Sequence, residues 1–290
     1  MLNNSFIKLL KIFFLLILPC IINAQSIDND FKDSIPSENN IGTAKFDFLM
    51  IGVSYTNNNI KYKSLDNKTK IPSKGSDLIF YHHSGFWGSI NYTNYFNASS
   101  STYETEFRAG YQHTFLDFID IDLNYGYHHF TGDKNYEGIT YNHTVKGSLN
   151  INSKYVSLNS DFYSMHGLSN NYFIDLAPTF NLDFDNILFK NDFFLFNPSV
   201  SLSFGTDDWI FEPFTELQRR GRIRYLTHLG YKTGNFDYQG LSFYLPIIYS
   251  FYNVSFSFSW FYNLPSDKLR AINWDDQSGV LFSIMYSPSI

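Results

Sequence analysis

The sequence predicts a single antiparallel up-and-down β-barrel, closed on itself, of about twelve strands, with its outside in lipid. Three observations carry that prediction. Apolar and polar residues alternate with period two along most of the chain, the pattern of a strand with two unlike faces. Aromatics make up 20% of the residues, with 22 Tyr and 31 Phe, yet the mean hydropathy is −0.21. A water-soluble domain hides its aromatics in one core, whereas a lipid-facing barrel displays them outward and keeps a polar interior. Finally, the connections between alternating runs are short and long by turns.

In chain order, residues 1–24 read as a secretory signal peptide: Lys8 and Lys11 precede the apolar run Ile12 to Ile22, and Asn23-Ala24 forms a small-residue exit. The run is shorter than the roughly 20 residues of a membrane-spanning helix. Cys20 is the sole cysteine, and Leu18-Pro19 before it disfavours a lipoprotein cleavage site, so the processed chain is expected to lack thiols. Removing the signal takes two lysines and no acids, so the formal charge moves from −6 to −8 over 290 − 24 = 266 residues. That balance argues against nucleic acid as a partner. Residues 25–42, polar and aperiodic around Pro36, read as a flexible periplasmic leader.

Residues 43–290 are the predicted barrel, with strands at 45–56, 77–83, 86–96, 102–115, 119–130, 139–151, 154–165, 171–184, 192–205, 239–250, 254–263 and 278–287. The clearest alternation is in 119–128, where Ile119, Ile121, Leu123, Tyr125 and Tyr127 share one face and Asp120, Asp122, Asn124 and His128 the other. In 139–151, Ile139, Tyr141, Val145, Leu149 and Ile151 are set against Lys146 and its polar neighbours. Val254, Phe256, Phe258 and Trp260 alternate with serines. With the N-terminus in the periplasm, the turns on that side are short and the opposite side receives every long connection, chiefly the outer loop 206–238, as outer-membrane barrels require. Pro178 and Pro246 fall inside strands, where the missing N–H predicts bulges or shifted boundaries.

The signal ending Asn-Ala-Gln, the Tyr/Asn/Phe-rich alternating strands and the terminal run Phe282-Ser283-Ile284-Met285-Tyr286 resemble the outer-membrane barrel proteins of Bacteroidetes-type bacteria, a family without an assigned activity. The resemblance covers most of 43–290 and implies a Gram-negative cell outer membrane and insertion by the barrel-assembly machinery. The ending Ser287-Pro288-Ser289-Ile290 departs from the aromatic terminus common in such chains.

Chemistry-bearing residues are sparse. Glu104, Glu106 and Arg108 share one strand face, and Asp120, Asp122 and, on the next strand, Lys146 lie on polar faces. These are the expected lumen lining, since a charge at mid-depth on the lipid face costs about 2–4 kcal/mol. A Ser–His hydrolase on a strand needs the two residues two apart, so that both lie on one face. His82 with Ser84 has that spacing at a periplasmic turn, where a plain polar turn is the simpler reading; His166 and Ser169 are three apart. Asp120 with Asp122 and Asp183 with Asp185 offer paired carboxylates but no Asp-x-His partner. Adjacent histidines His82-His83 and His128-His129 point opposite ways, so no metal site and no cofactor is expected. Loop 206–238 carries Trp209, Phe211, Phe214 and the cluster Arg219, Arg220, Arg222 and Arg224, a candidate grip for an anion such as lipopolysaccharide phosphate, or a loop folded into the barrel mouth. The sequence therefore points to a narrow pore, a transport or binding accessory for small polar solutes, or a structural envelope protein in contact with outer-membrane lipid. The alternative is a lipid-acting hydrolase of phospholipase or lipid A deacylase type; no catalytic residue is assigned from the sequence.

Overall fold

A computed structural model describes residues 47–58, 70–96, 101–132, 141–167, 169–211 and 215–288. The expected signal peptide and leader, Phe214 and most of the predicted 57–76 connection lie outside them. Fourteen strands run in chain order: β1 (Phe48–Thr56), β2 (Ser73–Tyr81), β3 (Phe86–Phe96), β4 (Ser101–Phe115), β5 (Ile119–Gly132), β6 (Tyr141–Asn152), β7 (Val156–Gly167), β8 (Asn170–Phe180), β9 (Leu182–Asp185), β10 (Asp192–Phe196), β11 (Ser199–Gly205), β12 (Asp237–Phe251), β13 (Val254–Pro265) and β14 (Gln277–Tyr286). Each pairs antiparallel with its neighbours. The sheet closes where β1 meets β14, with Ile51 opposite Tyr286 and Thr56 opposite Leu281. β8 with β9, and β10 with β11, each form one stave interrupted at Asn181 and at Asn197-Pro198. Fourteen segments less two leaves a closed barrel of twelve staves.

Side chains sort as a lipid-facing wall demands. Ile51, Val53, Leu78, Phe107, Ile121, Leu123, Phe256, Phe258 and Phe282 are exposed, while Glu104, Glu106, Asp120, Asn124, His128 and Ser259 are buried inside. Such an apolar belt around a closed cylinder matches a hydrocarbon surrounding and could not remain monomeric in water.

The in-strand prolines do not produce the expected bulges. Pro178 keeps register with Leu158 on β7, and Pro246 with Ser259 on β13. Each instead turns its missing donor toward the stave broken at Pro198: pairing of β8 with β11 skips from Thr179 to Leu176, and β12 skips from Tyr244 to Ile247. Three prolines thus share one gap in the ladder, bridged by Phe180 N–H to Pro198 O and Asn197 N–H to Pro246 O. The register shifts fall elsewhere, between Tyr141 and His143 and between Ser203 and Phe204. The first of these corrects the sequence reading. Tyr141 does not share the outward face of Val145; it is 1% exposed and packs inside with Ile71, Tyr95, Phe130 and Met165. The start of β2 at Ser73 rather than 77 has a plain cause, since Ser73 to Ser76 carry no apolar alternation to read.

At the short-turn end, residues with positive φ make the reversals: Gly85, Leu116, Asp117, Asn186, Asn191 and Tyr252. Gly85, at φ +95°, also lies against the Gln112 carbonyl, which accepts no Cβ at that position. At the opposite end, the predicted loop holds a 3₁₀ turn (Asp208–Phe211) and helix α1 (Glu216–His228), and β13–β14 holds helix α2 (Asp267–Arg270). Thr215 caps α1 through a reciprocal pair with Gln218.

Candidate functional site

Inside the barrel, the polar faces of β2 to β8 interlock. His128 Nδ1 lies 2.7 Å from Glu104 Oε1, and its Nε2 lies 3.0 Å from Thr144 Oγ1 and 3.2 Å from Glu106 Oε1. Tyr95 donates its phenol to Glu104. Arg108 clamps Glu106, Nε and one terminal nitrogen each 2.6 Å from Oε1. The Glu104–Glu106–His128 group has donor atoms for a metal, but each imidazole nitrogen already faces a different carboxylate, and the arrangement is that of a balanced charge network.

A second group sits one wall further round. Lys146 Nζ lies 3.1 Å from Asp161 Oδ2 and 5.2 Å from the Tyr163 ring, whose hydroxyl donates to Asp161 at 2.9 Å. Toward the short-turn end, Trp87 Nε1 donates to Asp122 at 2.7 Å, Asn124 donates to the same carboxylate, and Asp120 accepts from Thr114 at 2.6 Å. Below them Phe48, Met50, Ile79, Tyr81 and Met285 form an apolar cluster on the inner face.

At the long-loop end two loops pack together as a cap on part of the wall. Trp209, Ile210, Phe211, Leu226, Leu269 and Ile272 make a buried cluster that rests on Phe173 of the barrel wall. Its latch is polar: Lys268 Nζ lies 2.6 Å from Asp207 Oδ2 and donates to Asp237 Oδ2 at 3.1 Å. Asp207 Oδ1 accepts the Gly234 N–H at 2.8 Å, and Asn171 Oδ1 accepts the Trp209 N–H at 3.1 Å. The loop therefore packs onto the barrel wall at the mouth, a placement the sequence offered only as an alternative to an anion grip. The arginines of α1 do not converge on one point. Arg220 pairs with Glu216 at 2.8 Å, Arg219 lies 4.0 Å from Asp208, and Arg222 reaches the Ile272 carbonyl at 3.4 Å. Burial lowers the Arg222 guanidinium pKa from its ordinary value. Arg224 stays exposed.

The serine–histidine candidates resolve differently. At the short-turn end, His82 Nδ1 lies 2.6 Å from Ser84 Oγ, but Asp47 is 3.9 Å from His82 and is held by His83 instead, through the backbone N–H at 2.9 Å and Nδ1 at 2.8 Å. That backbone hydrogen bond, then the ring contact, lowers the Asp47 pKa. Ser169 Oγ accepts from Asn171 at 2.8 Å. His166 meets a serine the sequence reading passed over. Ser164 Oγ is 2.7 Å from His166 Nε2, and Asn170 Oδ1 is 2.9 Å from His166 Nδ1. The signal was present as Ser-x-His, the reverse order of the pair sought.

No family model and no curated protein matches the chain. Among solved structures it is similar to a KdgM porin (9% identity over 83% of this chain and 99% of that one, TM-score 0.49). It is also similar to a NanC porin (10%, 82% and 98%, TM-score 0.48) and to LpxR from Salmonella typhimurium (9%, 82% and 99%, TM-score 0.49).

Proposed function

We propose that this barrel sits in the cell outer membrane as a narrow, cation-favouring path or binding accessory for small polar solutes. The observation that carries the reading is charge kept wet inside a closed wall. Arg108, Lys146 and Asp161 retain 31%, 30% and 24% side-chain exposure although each belongs to the inward face. Twelve staves enclose more room than the roughly eight whose side chains fill a barrel. Glu104, Glu106, Asp120, Asp122 and Asp161 outnumber Arg108 and Lys146 on that lining, which favours cations.

Planar-bilayer recording tests it: discrete steps with a cation-selective reversal potential in a salt gradient are expected, shifted by Glu106→Gln or Asp161→Asn. Silence at high protein concentration would reject the path. The exposed Arg219, Arg220 and Arg224 support contact with lipopolysaccharide phosphate, and the closed lipid-facing wall supports delivery by a barrel-assembly machinery.

A further inference from the structure

The structure assigns to Ser164, His166 and Asn170 a serine-hydrolase site on the outer wall of the barrel, acting on the carboxylic ester of a membrane lipid. The argument begins with strand parity. Asp161 and Tyr163 of β7 join the lumen network and Met165 packs on the interior Tyr141 cluster, so Phe162, Ser164 and His166 face outward, and Phe162 is 43% exposed. Asn170 shares the outward face of β8 with the exposed Tyr172. The group lies in the last turn-ward residues of β7, at the long-loop end and level with the exposed rings of Tyr125, Tyr127 and Tyr172, an aromatic girdle of the kind that marks a membrane interface.

The atoms are in the order that the chemistry needs. Asn170 Oδ1 accepts from His166 Nδ1–H, which fixes the tautomer that leaves Nε2 free to accept the Ser164 hydroxyl proton at 2.7 Å. A pair serving only to satisfy polar atoms on a greasy wall needs no third member on a second strand. Tyr172, directly opposite Ser164 across the β7–β8 ladder, and Val145 on the other side leave the serine 7% exposed, in a site poor in water that displacement of the tyrosine ring would open to the leaflet.

In the reaction, Ser164 Oγ attacks the ester carbonyl as its proton passes to His166 Nε2. The tetrahedral adduct collapses, the C–O bond to the leaving alcohol breaks, and His166 protonates that alcohol. Water, deprotonated by His166, then cleaves the acyl-Ser164 ester and releases the fatty acid. Asn170 is a positioning residue.

The test uses the full-length barrel in detergent, with folding checked by heat-modifiable gel migration. A long-chain alkyl fluorophosphonate should form an adduct on Ser164, located by mass spectrometry. Fatty acid should be released from dioleoyl phosphatidylethanolamine micelles or from lipopolysaccharide, the two arms telling which lipid supplies the ester. Folded Ser164→Ala or His166→Ala should lose roughly 10⁴-fold in release. Asn170→Ala should lose about a hundredfold, Asn170→Asp much less, and Tyr172→Ala should speed labelling. Absence of both adduct and release in the wild type, or an adduct that forms equally fast in folded His166→Ala, would overturn the assignment.

Discussion

Replacing Lys268 by Met should unlatch the cap at the barrel mouth. Asp207 is 0% exposed, and its Oδ2 has the lysine ammonium as its counter-charge at 2.6 Å. Asp237, the second acid on Lys268, is 45% exposed on its side chain and adds at most about 1 kcal/mol, as a surface pair does. Removing one member of a buried pair costs about 3–5 kcal/mol, because the other charge is left uncompensated. One decade of equilibrium corresponds to about 1.4 kcal/mol, so cap opening should rise by about 10² to 4 × 10³-fold. Hydrogen exchange of the α1 amides reads that ratio, and tryptic cleavage at Arg219 and Arg220 should follow it. The double variant Lys268→Met with Asp207→Leu should recover much of the loss. Unchanged exchange in α1 of the single variant would refute the reasoning, showing the cap to be held by the Trp209–Leu269 cluster alone.

Other outcomes follow from local geometry. Gly110→Ala would place a Cβ 2.6 Å from Trp87 Cε2 and 2.8 Å from Asn124 Cβ, so thermal unfolding followed on gels should show about 1–3 kcal/mol of destabilisation. Asp192 accepts the N–H groups of Ile187, Leu188 and Phe189 and the Tyr249 hydroxyl; Asp192→Ala should make the 186–191 turn sensitive to proteinase in detergent while the barrel still migrates as folded. The Asp47 pKa is lowered by its His83 contacts, so the clasp contributes fully above the ordinary aspartate value of about 3.9 and is lost as pH falls through the depressed folded value. Acid titration of a fluorophore at residue 45 should show that release, and Asp47→Asn should abolish it.

Much of the wall was legible because lipid outside and water inside impose period two on each strand. Ile121, Val145 and Phe258 could be placed outward from alternation alone, and the even strand count followed from the turns. What pattern could not show is what happens where one residue faces two demands. The Asn181 and Asn197-Pro198 breaks, the shift before His143 and the helices of the cap depend on contacts between distant segments, such as Trp209 on Phe173. The inward acids were readable as a class, whereas their pairing, His128 between two glutamates, depends on cross-strand register. Ser164 was missed for a different reason: its spacing was visible but in the order Ser-x-His, and the Asn170 that distinguishes it belongs to the next strand.

The register slip in β6 has a consequence for how this wall tolerates change. Because Asn142 is the additional residue, Tyr141 is turned indoors while Val145, four places on, stays in oil. Deleting a residue from a loop shortens it; deleting Asn142 would restore strict alternation and eject a phenol from its nest beside Tyr95 into the bilayer. In such a cylinder a single codon lost from a strand acts as a switch of sides for everything beyond it, up to the next turn.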